Sequence, residues 1–191
     1  MNKKIFMSII SMFILAATTL LTMTSCNNDD NDGYRNANAL KGNYNGKIIV
    51  NKDTSDVDIA INDYYVGVAK FPVKQLICAA ITDPAQQAEA LKNAKDGTLN
   101  MVYMAPEDTV KIPVKLAQQV VRLNVTIDKK QHTILAKFSS DAKNYYTIKT
   151  DSLNMKLDVK EMAYDNQTIK NFKELSYEIK AAKKKETPKK K

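Results

Sequence analysis

The chain has 191 residues, two cysteines, one histidine, no tryptophan and a formal net charge of +8. So few thiols and imidazoles exclude the usual zinc and haem spacings, and the five glycines form neither GxGxxG nor a GK[ST] loop, which excludes the familiar phosphate cradles. The charge sits at the ends: Lys3 and Lys4 carry +2, residues 183–191 carry a net +5, and the body 26–182 is left at +1, with no overall bias toward nucleic acid.

Behind Lys3 and Lys4, Ile5 to Met23 is apolar or small apart from Ser8, Ser11, Thr18, Thr19 and Thr22, and Met23-Thr24-Ser25-Cys26 closes the run. A run of this length compares with a membrane span, but the short basic front and small-residue exit are those of a cleaved secretory signal. The stretch resembles a bacterial lipoprotein signal, whose lipobox ends in Cys. That resemblance implies a removed signal peptide over 1–25, lipidation of Cys26 and an address at the outer membrane, surface-exposed or facing the periplasm.

Residues 26–39 read as an acidic flexible tether. Asn27-Asn28-Asp29-Asp30-Asn31-Asp32-Gly33 contains no apolar side chain. Asn28, Asp30, Asp32 and Gly33 match the start of a calcium loop, but Ala39 stands where the bidentate Glu is required, so no metal site is expected. The acidic run just behind the Cys resembles the surface-export signal of Bacteroidota lipoproteins; a plain periplasmic spacer has the same composition.

One β-rich domain is expected over 40–182, a length that suits a single core. Leu40 to Val50 reads as a first strand, and Val57, Ile59 and Ile61 alternate with polar neighbours. Tyr64 to Phe71 continues the β pattern. The period then becomes helical: Val73, Leu76, Ile77, Ala80 and Ile81 form one stripe, with Pro72 at the first helical position. Asp83-Pro84 starts a second helix that Gly97 is placed to end. The insertion spans about 72–95. Further strands follow over 98–104 and 110–114, with Pro113 restricted to an edge or strand end. Residues 116–121 fit a helical turn or a strand start equally. Leu123 to Ile127 and Thr133 to Phe138 form a hairpin around Asp128-Lys129-Lys130-Gln131. Tyr145 to Lys149, Leu153 to Val159 and Leu175 to Ile179 complete the set. Short half-polar strands with one helical interruption predict a mainly β fold, an antiparallel barrel or a sandwich. The tail 183–191, rich in lysine, is expected to be disordered and offers phosphate-bearing headgroups or acidic polysaccharide a cationic partner.

With Cys26 assigned to lipid, Cys78 has no disulfide partner. Its apolar neighbours suggest a small buried hydrophobe. His132 reads as an exposed hairpin residue, and no motif joins it to Cys78 as a catalytic pair. No local spacing brings two carboxylates together, so no catalytic residue and no cofactor are assigned. Tyr64, Tyr65, Tyr145 and Tyr146 are the candidate ligand contacts. Neighbours in a strand face opposite ways, so each pair is expected to place one ring in the core and offer the other to a ligand. Asp108-Thr109-Val110 and Asp151-Ser152-Leu153 resemble the Asp-Ser/Thr-apolar acceptor of Bacteroidota O-glycosylation, which would place glycan on Thr109 and Ser152.

Over the whole chain, the signal, the acidic tether and a first strand carrying Gly42, Tyr44 and Gly46 resemble the small Bacteroidota lipoproteins, some of which resemble calycins, the lipocalin-like barrels. Lipocalins place Trp after the first-strand Gly, where this chain has Tyr44. The resemblance implies a non-catalytic, membrane-anchored lipoprotein of binding or structural role, holding a small apolar or amphipathic ligand. The alternative is a carbohydrate-binding accessory of a surface glycan system.

Overall fold

A computed structural model describes residues 38–106, 110–140 and 143–185. Where the sequence alternates between wet and dry positions, strands form. β1 (Gly42–Val50) and β2 (Asp53–Ile61) pair through Asn51-Lys52, whose φ of 49° and 78° are the left-handed values of a tight hairpin. β3 (Tyr65–Phe71) runs back beside β2. After α1 (Lys74–Ala80) and α2 (Pro84–Lys92), β4 (Gly97–Met104) pairs with β3. β5 (Lys111–Pro113) leaves the wall, and β6 (Lys115–Leu116) rejoins it against Tyr103 and Met104. Ala117 N–H to the Val102 carbonyl, at 2.8 Å, extends that seam.

β7 (Gln119–Ile127) turns at Asp128-Lys129 into β8 (Lys130–Ser139). β9 (Tyr145–Thr147) pairs with β5 and with the start of β10 (Ser152–Tyr164), which then lies against β8; β11 (Gln167–Thr168) folds onto the end of β10. β12 (Ser176–Lys183) lies between β10 and β1. The long strands pair in succession from β1 to β4 and from β7 through β8 and β10 to β12, the last pairs with the first, and β4 approaches β7 without forming a ladder. The fold is mainly β, a nearly closed antiparallel barrel with a small helical insertion. The curl that brings β4 beside β7 makes the sheet a nearly closed barrel, one of the two architectures that the alternation allowed.

The inward positions of β1, β2, β3, β4, β8, β10 and β12 fill the barrel. Phe71 stacks on Tyr177 at 4.8 Å between centroids, and Phe138 packs edge-on to both at 5.5 Å. Tyr44 meets Tyr146 edge-to-face at 6.1 Å, and its hydroxyl donates to the carbonyl of Leu40 in the turn at 38–40. Gly46 has a steric reason: a Cβ there would lie 2.3 Å from the Lys180 carbonyl oxygen and 2.5 Å from the Ala181 Cβ, so only hydrogen lets β12 approach β1 this closely.

The helices cover the barrel end where the β1–β2 and β7–β8 turns lie. Leu76, Ile77 and Ala90 are buried, and Gln87 reaches from α2 to the carbonyls of Ile81 and Cys78. Asp83 is the N-cap of α2, accepting from Gln86 N–H at 2.9 Å, with Pro84 in the first turn as expected.

Three local expectations are corrected, and one open alternative is resolved. Pro72 precedes α1, which is capped by Val73. Gly97 opens β4, and α2 ends at Asn93 instead. Residues 116–121 are strand, interrupted between β6 and β7. Cys78 is exposed, on the side of α1 turned away from its apolar stripe.

Candidate functional site

At the end opposite the helices, the chain enters the barrel through residues 38–41 and β12 leaves it. Lys183 Nζ donates to the Ala39 carbonyl at 2.6 Å, its backbone N–H donates to Asp151 at 2.8 Å, and Lys184 N–H donates to Asn43 at 2.7 Å. The β2–β3 turn belongs to the same end. Asn62 Oδ1 accepts from Tyr64 N–H and Tyr65 N–H, both at 2.9 Å, and the Asn62 carbonyl accepts from the Tyr103 hydroxyl at 2.7 Å. Lys41 forms an ion pair with Asp63, which raises the ammonium's pKa. The turn is held from both sides, and what it displays is aromatic.

Tyr64 is 68% exposed and Tyr65 47%, their rings tilted at 51° with centroids 6.1 Å apart. Tyr65 lies directly across from Val102, and Met104 follows two residues on along the outer face of β4. Val102 is 51% exposed, Met104 63%, and Val110 in the connection to β5 62%. Among the described residues, these five are the exposed large hydrophobics, and all lie toward this end. Apolar surface gathered this way marks an interaction site more often than scattered single residues do.

The four tyrosines do not form one platform. β2, β1, β12 and β10 separate Tyr64 and Tyr65 from β9 in the sheet order. On β9 the expected division occurs. Tyr146 is buried and donates to Asp151, and burial first, then that carboxylate, pushes its pKa up. Tyr145 is half-buried, with Lys111 Nζ 4.8 Å over its ring. Tyr64 and Tyr65 depart from the expectation because Tyr64 belongs to the Asn62 turn, before the strand's alternation begins. The Ser152 hydroxyl lies 2.7 Å from that of Thr150. Cys26, Thr109 and the residues from Glu186 onward lie outside the described residues.

Two clusters escaped the sequence reading. His132 Nδ1 lies 2.6 Å from Asp165 Oδ2, Thr133 N–H donates to the other oxygen at 2.8 Å, and the Tyr164 ring stacks on the imidazole at 5.4 Å. The backbone N–H, then His132, lower the Asp165 pKa. The group joins the start of β8 to the β10–β11 turn, a pairing no local pattern announces. Ser139, Asp158 and Ser176 stand in register across β8, β10 and β12 with Asp158 only 8% exposed. Lys156 and Lys160 approach its carboxylate at 3.8 and 3.7 Å. Near α1, a shallow cavity of about 250 Å³ includes Cys78, Lys74, Lys173 and Asp53 in its lining. Among the described residues, no three His, Cys, Asp or Glu side chains converge on a metal position. No helix there is long and apolar enough to cross a membrane.

A family model described as a domain of unknown function, DUF4840, matches residues 39–164. The chain belongs to the DUF4840 family. No curated protein and no solved structure matches it. The DUF4840 match includes Gly42, Tyr44 and Gly46, the Tyr64–Tyr65 turn and the outer face of β4. It stops at the last residue of β10, so the strand that completes this DUF4840 barrel lies beyond the matched residues.

Proposed function

We propose that this DUF4840 protein is a lipid-anchored, non-catalytic lipoprotein of the outer membrane, carrying its interactions on the outside of a filled barrel. The observation that carries the reading is the run from Lys3 to Cys26: a basic start, an uncharged apolar stretch and a terminal Cys, followed by an acidic tether. The core narrows what kind of binding to expect. Ligand cavities are largely pre-formed, whereas Tyr44, Phe71, Phe138 and Tyr177 occupy the space where a small apolar ligand would sit. Binding at the exposed tyrosine turn suits the geometry better than binding in a lumen.

Intact-mass analysis of membrane-extracted protein tests the anchor. A mature chain beginning at an acylated Cys26 is expected, with Cys26→Ala released from the membrane fraction. Retention of Met1 without acyl chains, or unchanged membrane partitioning of Cys26→Ala, overturns the reading.

A second reading makes Tyr64 and Tyr65 a platform for sugar rings in a surface glycan system, favoured by the exposure and mutual tilt of the two aromatic faces. It predicts glycan-array binding that Tyr64→Ala and Tyr65→Ala each abolish. Silence of the wild-type protein on such an array removes it.

A further inference from the structure

We propose that the barrel end bearing Tyr64, Tyr65, Val102 and Met104 rests on the phosphate-bearing headgroups of the bilayer that holds Cys26, so that the barrel stands on the membrane in a fixed orientation with α1 and α2 outermost. The inference rests on the lipid-anchor reading above and adds the face and the partner.

Three independent features converge on that end. The first is chain connectivity. The twelve steps from Cys26 to Asn38 span at most about 40 Å when fully extended, and Asn38 enters the barrel beside Lys41 and Ala39, at the tyrosine end. The chain that follows an acylated Cys26 therefore joins the barrel at this end and not at the helical one. The second is surface chemistry. Every exposed large hydrophobic side chain among the described residues lies toward this end, and two of the five are tyrosines, whose apolar ring and polar hydroxyl suit the headgroup level of a bilayer. The third is charge. Lys115, Lys149 and Lys185 are exposed there, and the chain continues from Lys185 to Lys189, Lys190 and Lys191. The described carboxylates toward this end, Asp58, Asp63 and Asp151, are engaged by Lys70 and Lys184, by Lys41 and by the Tyr146 hydroxyl respectively. Basic residues near an anionic leaflet are drawn to it within a Debye length.

The turn also has the stiffness that a contact surface needs. Asn62 fixes the backbone of both tyrosines and is itself fixed through Tyr103, so the rings are presented without further ordering of the chain.

The acylated full-length protein, reconstituted in vesicles of zwitterionic lipid with and without phosphatidylglycerol, tests the proposal. A spin label is placed at Met104→Cys or, separately, at Val102→Cys, each in a Cys78→Ser background, and Cys78 of the wild type is labelled as the marker of the far end. Collision with a water-soluble paramagnetic reagent is expected to fall several-fold at 102 and 104 in the phosphatidylglycerol vesicles. It should stay high at Cys78, and Tyr64→Ser with Tyr65→Ser should restore it at 102 and 104. High salt should weaken the protection without releasing the acylated protein. Equal collision rates at 102, 104 and Cys78 overturn the proposal. So does protection that persists in detergent and rises with protein concentration, which identifies a second copy, or protection that requires added oligosaccharide and not a bilayer. The mass of the N-terminal peptide, measured on the same sample, separates a missing anchor from an anchored barrel that does not dock.

Discussion

Tyr44 and Tyr177 both lie inside the barrel, but their hydroxyls differ. That of Tyr44 donates to the Leu40 carbonyl, whereas that of Tyr177 has no hydrogen-bond partner among the described residues. Tyr44→Phe leaves a buried carbonyl without its donor and is expected to cost about 1–3 kcal/mol, while Tyr177→Phe removes an unmet polar group and should be neutral or stabilise by about 1 kcal/mol. Urea unfolding of the two variants checks the contrast; equal losses would contradict it. The same burial raises the pKa of Tyr44, Tyr146 and Tyr177 above the ordinary 10.0. An acid whose folded pKa is raised contributes stability below its unfolded value and loses that contribution as pH rises toward the folded one. Stability should therefore decline above pH 10, with a share of the tyrosinate absorbance appearing only as the chain unfolds. Complete ionisation of all nine tyrosines in still-folded protein would refute this.

Single residues also show what local reading could reach. Cys78 was expected in the core because its sequence neighbours are apolar, but on a helix it falls about 130° from the centre of the stripe formed by Val73, Leu76, Ile77, Ala80 and Ile81, and it is exposed. Helical periodicity, and not adjacency in the chain, decides which way this thiol faces. Tyr64 and Tyr65 were read with the strand rule one residue too early, because the Asn62 side chain captures both backbone N–H groups before the alternation starts.

Among the elements, the β1–β12 seam is the most demanding. Gly46→Ala would drive a Cβ into the backbone of Lys180 and the side chain of Ala181, with no flexible side-chain end to yield. Overpacking of this kind costs about 1–3 kcal/mol, and thermal unfolding should register it. An unchanged melting temperature would mean that the two strands can separate without penalty. Elements with a strong local signal were legible: the alternation in Asp53–Ile61, the hairpin at Asp128-Lys129, and α2 with Asp83 and Pro84 at its start. The 116–121 segment was not, because its strand character comes from pairing with Tyr103, Met104 and β8, residues distant in sequence.

For the molecule as a whole, the alternation implied sheets with one wet face, but nothing local said that β12 would pair with β1. Register there depends on contacts between the two ends of the chain, and the curl that brings β4 beside β7 makes a barrel and not a sandwich. The exposed tyrosine turn was legible as residues and not as a surface, since Val102 and Met104 join it only through the β3–β4 pairing. The family boundary at Tyr164 invites a test at this scale. A fragment ending there lacks Tyr177, Ile179 and Ala181 from the core and leaves β1 and β10 with open edges. It should show no cooperative thermal transition by circular dichroism; a sharp, reversible melt of that fragment would mean that the barrel does not need its last strand.

Because the opening strand is completed only by the closing one, the ring cannot form until nearly the whole polypeptide is present. That order works as a timer: a growing polypeptide has no barrel to settle into, and the lock engages only once the C-terminal strand has arrived.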